Sequence, residues 1–390
     1  MRILLVSSDN SRTSGAFLCM AQLAKHLKHD LNHDVKIVVP FDGNGSELLN
    51  ELNIDYDIVY SPDWVVPVFY KHPLKFAKKF FKFLTSSKAA NCIEQYLKDF
   101  KPDVVHINTS WCYLFGHVSM KLGFPVVWQI QEFLNEDQGM HFINRKFAIE
   151  TLKKANYVAT ISNAIDSKYR LLGLTNTEVV VDGIDVSKYF VSDHTLFNDD
   201  RIVFLFVGGV GRNKGQFEIV EWLGKMFKRK ELPTNFELRI AGFCSKKYKR
   251  KLIGIAKKYS IDRNLLILGP INDIVNEYRK SDIQFVNSKK EAFGRVTVEG
   301  LLGGCCLVAS NTGGTLEIIK QGVNGFLYEK NSFESFEAQL LFIINNPNKT
   351  KEIVSFGQNE AKTKYDSLNN AVKFESLYKA AVRSFLKINP

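Results

Sequence analysis

Glu291 and Glu299 stand eight positions apart in Glu291-Ala-Phe-Gly-Arg-Val-Thr-Val-Glu299, with Gly294 between them and an apolar run after. Ionised carboxylates accept hydrogen bonds and donate none, so hydroxyls of a sugar or a ribose are their natural partners. The pattern predicts a loop that leaves a strand near Ser288, turns at Gly294 and enters a helix at about Arg295. The first amides of a helix lack partners within it, and its dipole adds positive potential, so such an end suits a phosphate. Glu291 then precedes the helix and Glu299 lies about one turn inside it. Two glutamates at this spacing are common by chance, and the neighbouring segments decide what they mean.

Those neighbours are specific. Arg201-Ile-Val-Phe-Leu-Phe-Val-Gly-Gly-Val-Gly-Arg-Asn-Lys-Gly215 precedes Leu238-Arg-Ile-Ala-Gly242 and Leu266-Ile-Leu-Gly-Pro-Ile271. Downstream come Asn311-Thr-Gly-Gly-Thr-Leu-Glu-Ile-Ile319 and Gly322-Val-Asn-Gly-Phe-Leu327. With the two-glutamate stretch these blocks resemble the retaining glycosyltransferases of family 4, which have the GT-B fold: two Rossmann-like α/β domains with parallel sheets facing a cleft. The resemblance implies that Glu291 binds donor-sugar hydroxyls and Glu299 the ribose. It implies that Gly242, Pro270 and Ile271 line the base pocket, and that Gly209, Phe293, Gly294, Arg295 and Val296 border the donor.

The glycine loop Val207-Gly-Gly-Val-Gly-Arg-Asn-Lys-Gly215 follows a strand and precedes a helix. It is no dinucleotide fingerprint, because Lys214 occupies the place of the third glycine, and it lacks the spacing of a P-loop. Lys214 and Arg212 offer a point charge and a planar fork to a diphosphate leaving group. The family's usual arginine after the first glycine is Gly209 here, so Arg212 is taken as its displaced partner, with Arg295 as a further cation. The first half opens with Ser11-Arg-Thr-Ser-Gly15, similar to the family's first glycine loop, where Thr13, Ser14 and Gly15 would meet the acceptor. In Val126-Val-Trp-Gln-Ile-Gln-Glu-Phe133 the family's histidine is matched to Gln129, which can bond a hydroxyl but cannot shuttle a proton. Glu132 is a candidate acceptor base. His106, read as ending a strand towards the cleft, is a further candidate, although a lone histidine is more often a satisfied core residue. Asp55-Tyr-Asp57 resembles a metal-binding D-x-D only in letters and reads as a solvated strand edge; no metal ligand and no cofactor are expected, the nucleotide sugar (UDP- or GDP-linked) being a co-substrate.

A chain of 390 residues with 45% hydrophobic and 24% charged residues implies two soluble domains. Six scattered cysteines form no C-x-x-C pair, which argues against zinc and a disulfide framework and fits a reducing cytoplasm. No run is long enough for a membrane span, and the N-terminus reads as a buried strand rather than a signal peptide. The net charge of +11 suits anionic partners; no nucleic-acid motif accompanies it. Lys75, Lys78, Lys79 and Lys82 recur at helical spacing beside Phe76, Phe80, Phe83 and Leu84, with Phe81 near their edge. Such a helix suits an anionic membrane surface, or packs its aromatic face on the domain.

Short Val- and Ile-rich strands alternate with helices in both halves, the signature of parallel sheets covered on both faces. Strands are expected at Arg2–Ser7, Val35–Val39, Ile58–Tyr60, Val104–Ile107, Val126–Ile130, Tyr157–Ile161 and Glu178–Val181. The expected units are 1–190 (acceptor), 191–368 (donor) and a C-terminal helix, 369–390, returning to the first. The resulting expectation is a retaining, metal-independent glycosyltransferase on the inner face of the cytoplasmic membrane. It would move a sugar from a nucleotide sugar to a glycan acceptor, lipid-linked, in bacterial surface polysaccharide synthesis. Alternatives are a GT-B sugar-nucleotide epimerase or phosphorylase, and a catalytically silent glycan- or lipid-binding protein.

Overall fold

The structure is a computed structural model and describes residues 1–68, 77, 80, 81, 83, 86–198, 200–271 and 273–388. Two compact units divide the chain, Met1–Gly183 with Ser367–Pro390, and Ile184–Asp366. The boundary falls seven residues before the expected one, because the Ile184 N–H donates to Tyr365 O at 2.8 Å and draws residues 184–190 into the second unit. The four lysines of the basic stretch, Lys75, Lys78, Lys79 and Lys82, lie outside the described residues, as do Phe76 and Leu84. Of its described aromatics, Phe83 packs on Tyr113 and Phe147, while Phe80 and Phe81 are 38% and 63% exposed.

The first unit contains β1 (Arg2–Val6), β2 (Asp34–Val39), β3 (Asp55–Ile58), β4 (Val65–Pro67), β5 (Val104–Asn108), β6 (Val126–Ile130), β7 (Met140–Phe142), β8 (Tyr157–Thr160) and β9 (Thr177–Val179). Seven strands form one parallel sheet in the order β3-β2-β1-β5-β6-β8-β9, and β4 pairs with β7 in a separate antiparallel ribbon. The central strands β5 and β6 are buried along their whole length, as a sheet covered on both faces requires. Edge strand β3 begins three residues earlier than its apolar run suggests. Its register sets Asp55 and Asp57 against β2, where Lys28 and Lys36 hold them at 2.9 and 3.0 Å. Each carboxylate of this D-x-D thus has its own lysine. The short ribbon and the helix Arg145–Lys153 were not legible in the strand and helix patterns, although Asn144 caps that helix by accepting from the Phe147 N–H at 3.0 Å.

The second unit contains β10 (Val203–Val207), β11 (Glu237–Ala241), β12 (Leu265–Gly269), β13 (Ile283–Val286), β14 (Cys306–Ser310) and β15 (Phe326–Tyr328). All are parallel, in the order β12-β11-β10-β13-β14-β15. In both units the chain builds outward from the first strand on one side and then restarts on its other side. Ligands of such sheets collect at the carboxyl ends of the strands where the order reverses. In the second unit that place lies between β10 and β13, and in the first between β1 and β5.

The C-terminal helix Ser367–Ile388 packs Phe374, Tyr378 and Ala381 into the first unit's core with Ile3, Leu5, Val104 and Val127. This helix decides the environment of His106. The residue lies in the middle of β5 and is fully buried, its ring edge-on to Phe374 and its Nδ1 bonded to the Tyr378 hydroxyl at 2.8 Å. Burial drives its pKa down to about 3, so the ring is neutral. The reading of His106 as a strand-end ligand residue is therefore corrected: it is a core group. Tyr378→Phe strands that ring nitrogen and is expected to cost about 1–3 kcal/mol in urea unfolding, with nucleotide binding unchanged.

Candidate functional site

The Gly208–Gly215 loop leaves β10 and the 287–294 loop leaves β13, so both rise at the strand-order reversal of the second unit. Backbone ties them together, the Lys289 N–H donating to Asn213 O at 2.8 Å. Gly215 opens the helix Gln216–Lys228 with φ +81, and a Cβ there would lie 2.3 Å from Asn287 O. Only glycine fits that conformation and that approach. Gln216, fully buried, folds the glycine loop over its amide: it donates to Gly209 O at 3.2 Å and accepts from the Gly211 N–H at 3.3 Å.

This joining brings Lys214 and Glu291 into contact, Nζ lying 3.1 Å from Oε2 and 3.4 Å from Oε1. The lysine side chain is 42% exposed and the glutamate 15%. Glu291 is itself fixed through its carbonyl, which accepts from the Gly314 N–H at 2.7 Å. Gly294, at φ +109, caps the helix Arg295–Leu302 with the expected loop before it. The β13 side chain Gln284 anchors that helix start by donating to Val296 O at 2.9 Å.

Glu299 is held differently. Its carboxylate takes the Arg295 Nε–H at 2.7 Å and the Tyr278 hydroxyl at 3.1 Å, and only 5% of the residue is exposed. Tyr189 borders this cluster, its hydroxyl pushed up to about 12 by burial first and then by the Glu299 charge. Arg295 thus faces Glu299 rather than standing alone. Arg212 is exposed and makes no hydrogen bond or ion pair with a described residue. Phe293 is buried against Tyr365. Gly242 follows β11, its N–H bonded to Gly269 O at 2.8 Å, with Pro270 exposed and Ile271 half-buried at the end of β12.

A cavity of about 480 Å³ lies at the amino-terminal edge of the same sheet, beside Arg239 and Arg279. Glu277 takes Arg239 at 3.2 Å and Asp193 takes Arg279 at 3.4 Å, so these two arginines already face protein carboxylates.

In the first unit the loops after β1, β5 and β6 are also joined. Asn108 donates to Ala16 O at 3.1 Å, and Gln131 donates to Asn108 Oδ1 at 2.8 Å. Gln131, the first residue past β6, is therefore the strand-end amide. Gln129 lies within β6, 2% exposed, and donates to Asp182 at 3.1 Å, which corrects its reading as the residue facing a ligand. The expected strand, Val126–Ile130, already ended just before Gln131; the match to the family's histidine pointed to Gln129 instead. Ser14 caps the helix Gly15–Lys25 and spends its proton on Asp9 Oδ2 at 2.9 Å; Thr13 is exposed, with its hydroxyl 3.0 Å from that of Ser11. Ser14 can still accept, but its donor is committed. Asp9, which the sequence did not single out, has its carboxyl pKa raised by burial against the Ser14 hydroxyl and the Ser11 N–H, which donates at 3.0 Å.

Residues 13–188 match the family model described as Glycosyltransferase Family 4, and residues 189–360 match Glycosyl transferases group 1. An uncharacterized glycosyltransferase of Methanocaldococcus jannaschii is 30% identical over 173 residues, 44% of this chain and 47% of the relative. The capsular polysaccharide biosynthesis glycosyltransferase CapM of Staphylococcus aureus is 22% identical over 258 residues, 61% of this chain and 60% of that protein. The chain thus spans about half the length of the first relative, 47%, and somewhat more of CapM, 60%. Anabaena HepE in complex with UDP and glucose superposes with a TM-score of 0.80 at 21% identity, over 97% of this chain and 100% of that one. Sucrose-phosphate synthase from Thermosynechococcus elongatus superposes at 0.77 with 16% identity, over 98% and 100%. These superpositions carry the two-sheet GT-B fold.

Besides His106, Glu132 is a sequence-derived candidate whose ionisation the fold alters strongly. It is 2% exposed and accepts from the Ser110 N–H at 2.8 Å, from the Ser110 hydroxyl and from the Gln131 N–H at 3.2 Å. Burial outweighs these bonds and raises its pKa to about 7. A carboxyl raised on folding contributes stability below its unfolded pKa and loses it as pH climbs through the folded one. Wild-type stability is expected to fall between about pH 4.5 and 7 by up to on the order of 3 kcal/mol through this group. Glu132→Gln should flatten that slope in urea titrations taken across the range.

Proposed function

Because the chain belongs to the glycosyltransferases, with a family 4 half and a group 1 half, we propose that it is a retaining, metal-independent enzyme using a nucleoside-diphosphate sugar. The carrying observation is the Lys214–Glu291 contact at the β10/β13 reversal, next to the open helix start at Gly294. The lysine of the pair is 42% exposed and the glutamate 15%, and ion pairs open to solvent are worth only about 0–1 kcal/mol. A diphosphate can take the lysine from the glutamate at small cost and release Glu291 to the donor sugar's hydroxyls. Lys214, the amides after Gly294 and the exposed Arg212 then stabilise charge growing on the leaving diphosphate.

The bond between the anomeric carbon and the phosphate oxygen breaks while the acceptor oxygen bonds to the same face. The acceptor proton passes to the departing phosphate, so no protein nucleophile is needed. Glu299 keeps Arg295 and Tyr278 as partners and offers its remaining lone pairs to a ribose hydroxyl. Gly242, Pro270 and Ile271 frame the base. UDP and UDP-glucose bound to HepE support a uridine donor, with GDP the other choice.

CapM, and a lipopolysaccharide 1,2-N-acetylglucosaminetransferase of Salmonella typhimurium that is 26% identical over 196 residues, support a surface-glycan acceptor. A lipid-linked acceptor at the cytoplasmic face of the membrane suits the basic stretch from Lys75 to Lys82. We read this attachment as peripheral, and no helix among the described residues is long and apolar enough to cross a membrane.

Lys214→Ala is expected to lower turnover of the preferred nucleotide sugar by about 100- to 1,000-fold, the usual effect of removing a charge-stabilising donor. Unchanged kinetics in a folded variant would count against the site. Screening UDP- and GDP-sugars with and without added acceptor identifies the donor; release of nucleoside diphosphate that needs no acceptor, or epimerised donor, would point to another reaction. Changing Lys75, Lys78, Lys79 and Lys82 to Glu should abolish co-sedimentation with anionic vesicles, and full retention would remove the membrane assignment.

A further inference from the structure

Lys330 lies just past β15, two strands away from β13, yet its ammonium reaches Asn287. Nζ donates to Asn287 O at 2.7 Å and to Asn287 Oδ1 at 2.6 Å. Asn287 is fully buried, and its own amide donates to Gly215 O at 3.0 Å. Gly215 directly follows Lys214 and starts the next helix. The Lys330 backbone N–H is tied in turn to Asn311 Oδ1 at 3.1 Å, at the end of β14. One lysine therefore connects the carboxyl ends of β13, β14 and β15 to the loop that carries Lys214.

The arrangement is tuned rather than generic. Asn287 needs its carbonyl group held so that its amide faces Gly215, and a charged donor shared by both oxygens achieves this. Without it the Asn287 side chain is free to rotate, and the Gly215 carbonyl loses a fixed donor. Burial lowers the Lys330 pKa to about 8, against the favourable charge of Glu218 in the first turn of the following helix and with the opposing charge of Lys289. Holding an ammonium half-buried is costly, so packing alone does not explain it.

We propose that Lys330 is a positioning residue for donor binding, acting through Asn287 and Gly215 to set the Lys214 loop against a nucleoside diphosphate. This rests on the donor site proposed above. Lys330 itself touches no phosphate.

The test is a double-mutant cycle on the full chain, with UDP and GDP affinities measured by calorimetry for wild type, Lys214→Ala, Lys330→Met and the double variant. Lys330→Met is expected to weaken nucleotide binding about 10-fold, the loss of one charge-assisted bond's worth of free energy. In the Lys214→Ala background it should add less than about 2-fold, because the cation it positions is already gone. Donor KM and kcat should shift in the same proportion as in Lys214→Ala, at smaller amplitude. A merely structural lysine would lower the melting temperature without this coupling. Lys330→Gln, which keeps a polar head, serves if the methionine variant fails to fold. Unchanged affinity in a folded Lys330 variant overturns the inference, and so do losses that multiply, which would mean direct contact with the ligand. Wild-type protein that binds neither nucleotide overturns the donor site itself, and the positioning role with it.

Discussion

Everything at the candidate site depends on one constraint: two loops leaving parallel strands must meet where the strand order reverses. The Lys289-to-Asn213 backbone bond and the Asn287-to-Gly215 bond impose that meeting. Glycine at 215 permits it, since any Cβ would collide with Asn287. From this joining follow the contact of Lys214 with Glu291 and the placement of an open helix start beside both. Without it the cation and the carboxylate would belong to separate surfaces of the sheet edge.

The two glutamates of the motif are then set apart by their environments. In the pair with Glu291 the lysine is 42% exposed and the glutamate 15%, so water competes for the cation, and Lys214 is the partner more readily exchanged for a ligand. Arg295 and Glu299 are 17% and 7% exposed, and breaking such a pair by removing one partner typically costs about 3–5 kcal/mol. The more open first pair is the one the proposed mechanism exchanges for a ligand, and the more buried second pair holds the start of the helix Arg295–Leu302. Spacing in the sequence places both carboxylates near the loop, but burial decides which one moves.

Much of this was legible from local signals. Gly294 and Gly215 mark tight turns in the chain, and the Val- and Ile-rich runs mark buried parallel strands, because those preferences act over a few residues. The remainder depends on long-range packing. Lys330 and Asn287 are 43 positions apart, and nothing in either neighbourhood announces their bond. His106 reads as a strand-end residue until the C-terminal helix, 272 positions away at Tyr378, covers it. The expected strand Val126–Ile130 ends where β6 does, so the strand end was legible; matching the family's histidine to Gln129 missed Gln131, whose bond to Asn108 shows it as the amide that leaves the sheet. Edge strand β3 starts three residues earlier than its apolar run, its backbone pairing with β2 including Asp55 and Asp57, whose carboxylates sit beside Lys28 and Lys36.

The central claim is spatial, and a crystal structure with the preferred nucleoside diphosphate tests it most directly. The account predicts phosphate oxygens within hydrogen-bond distance of Lys214 Nζ and of the amides after Gly294, with the Lys214–Glu291 contact opened and Arg295–Glu299 intact. A nucleotide bound away from the β10 and β13 loops, with the Lys214–Glu291 contact undisturbed, would contradict it.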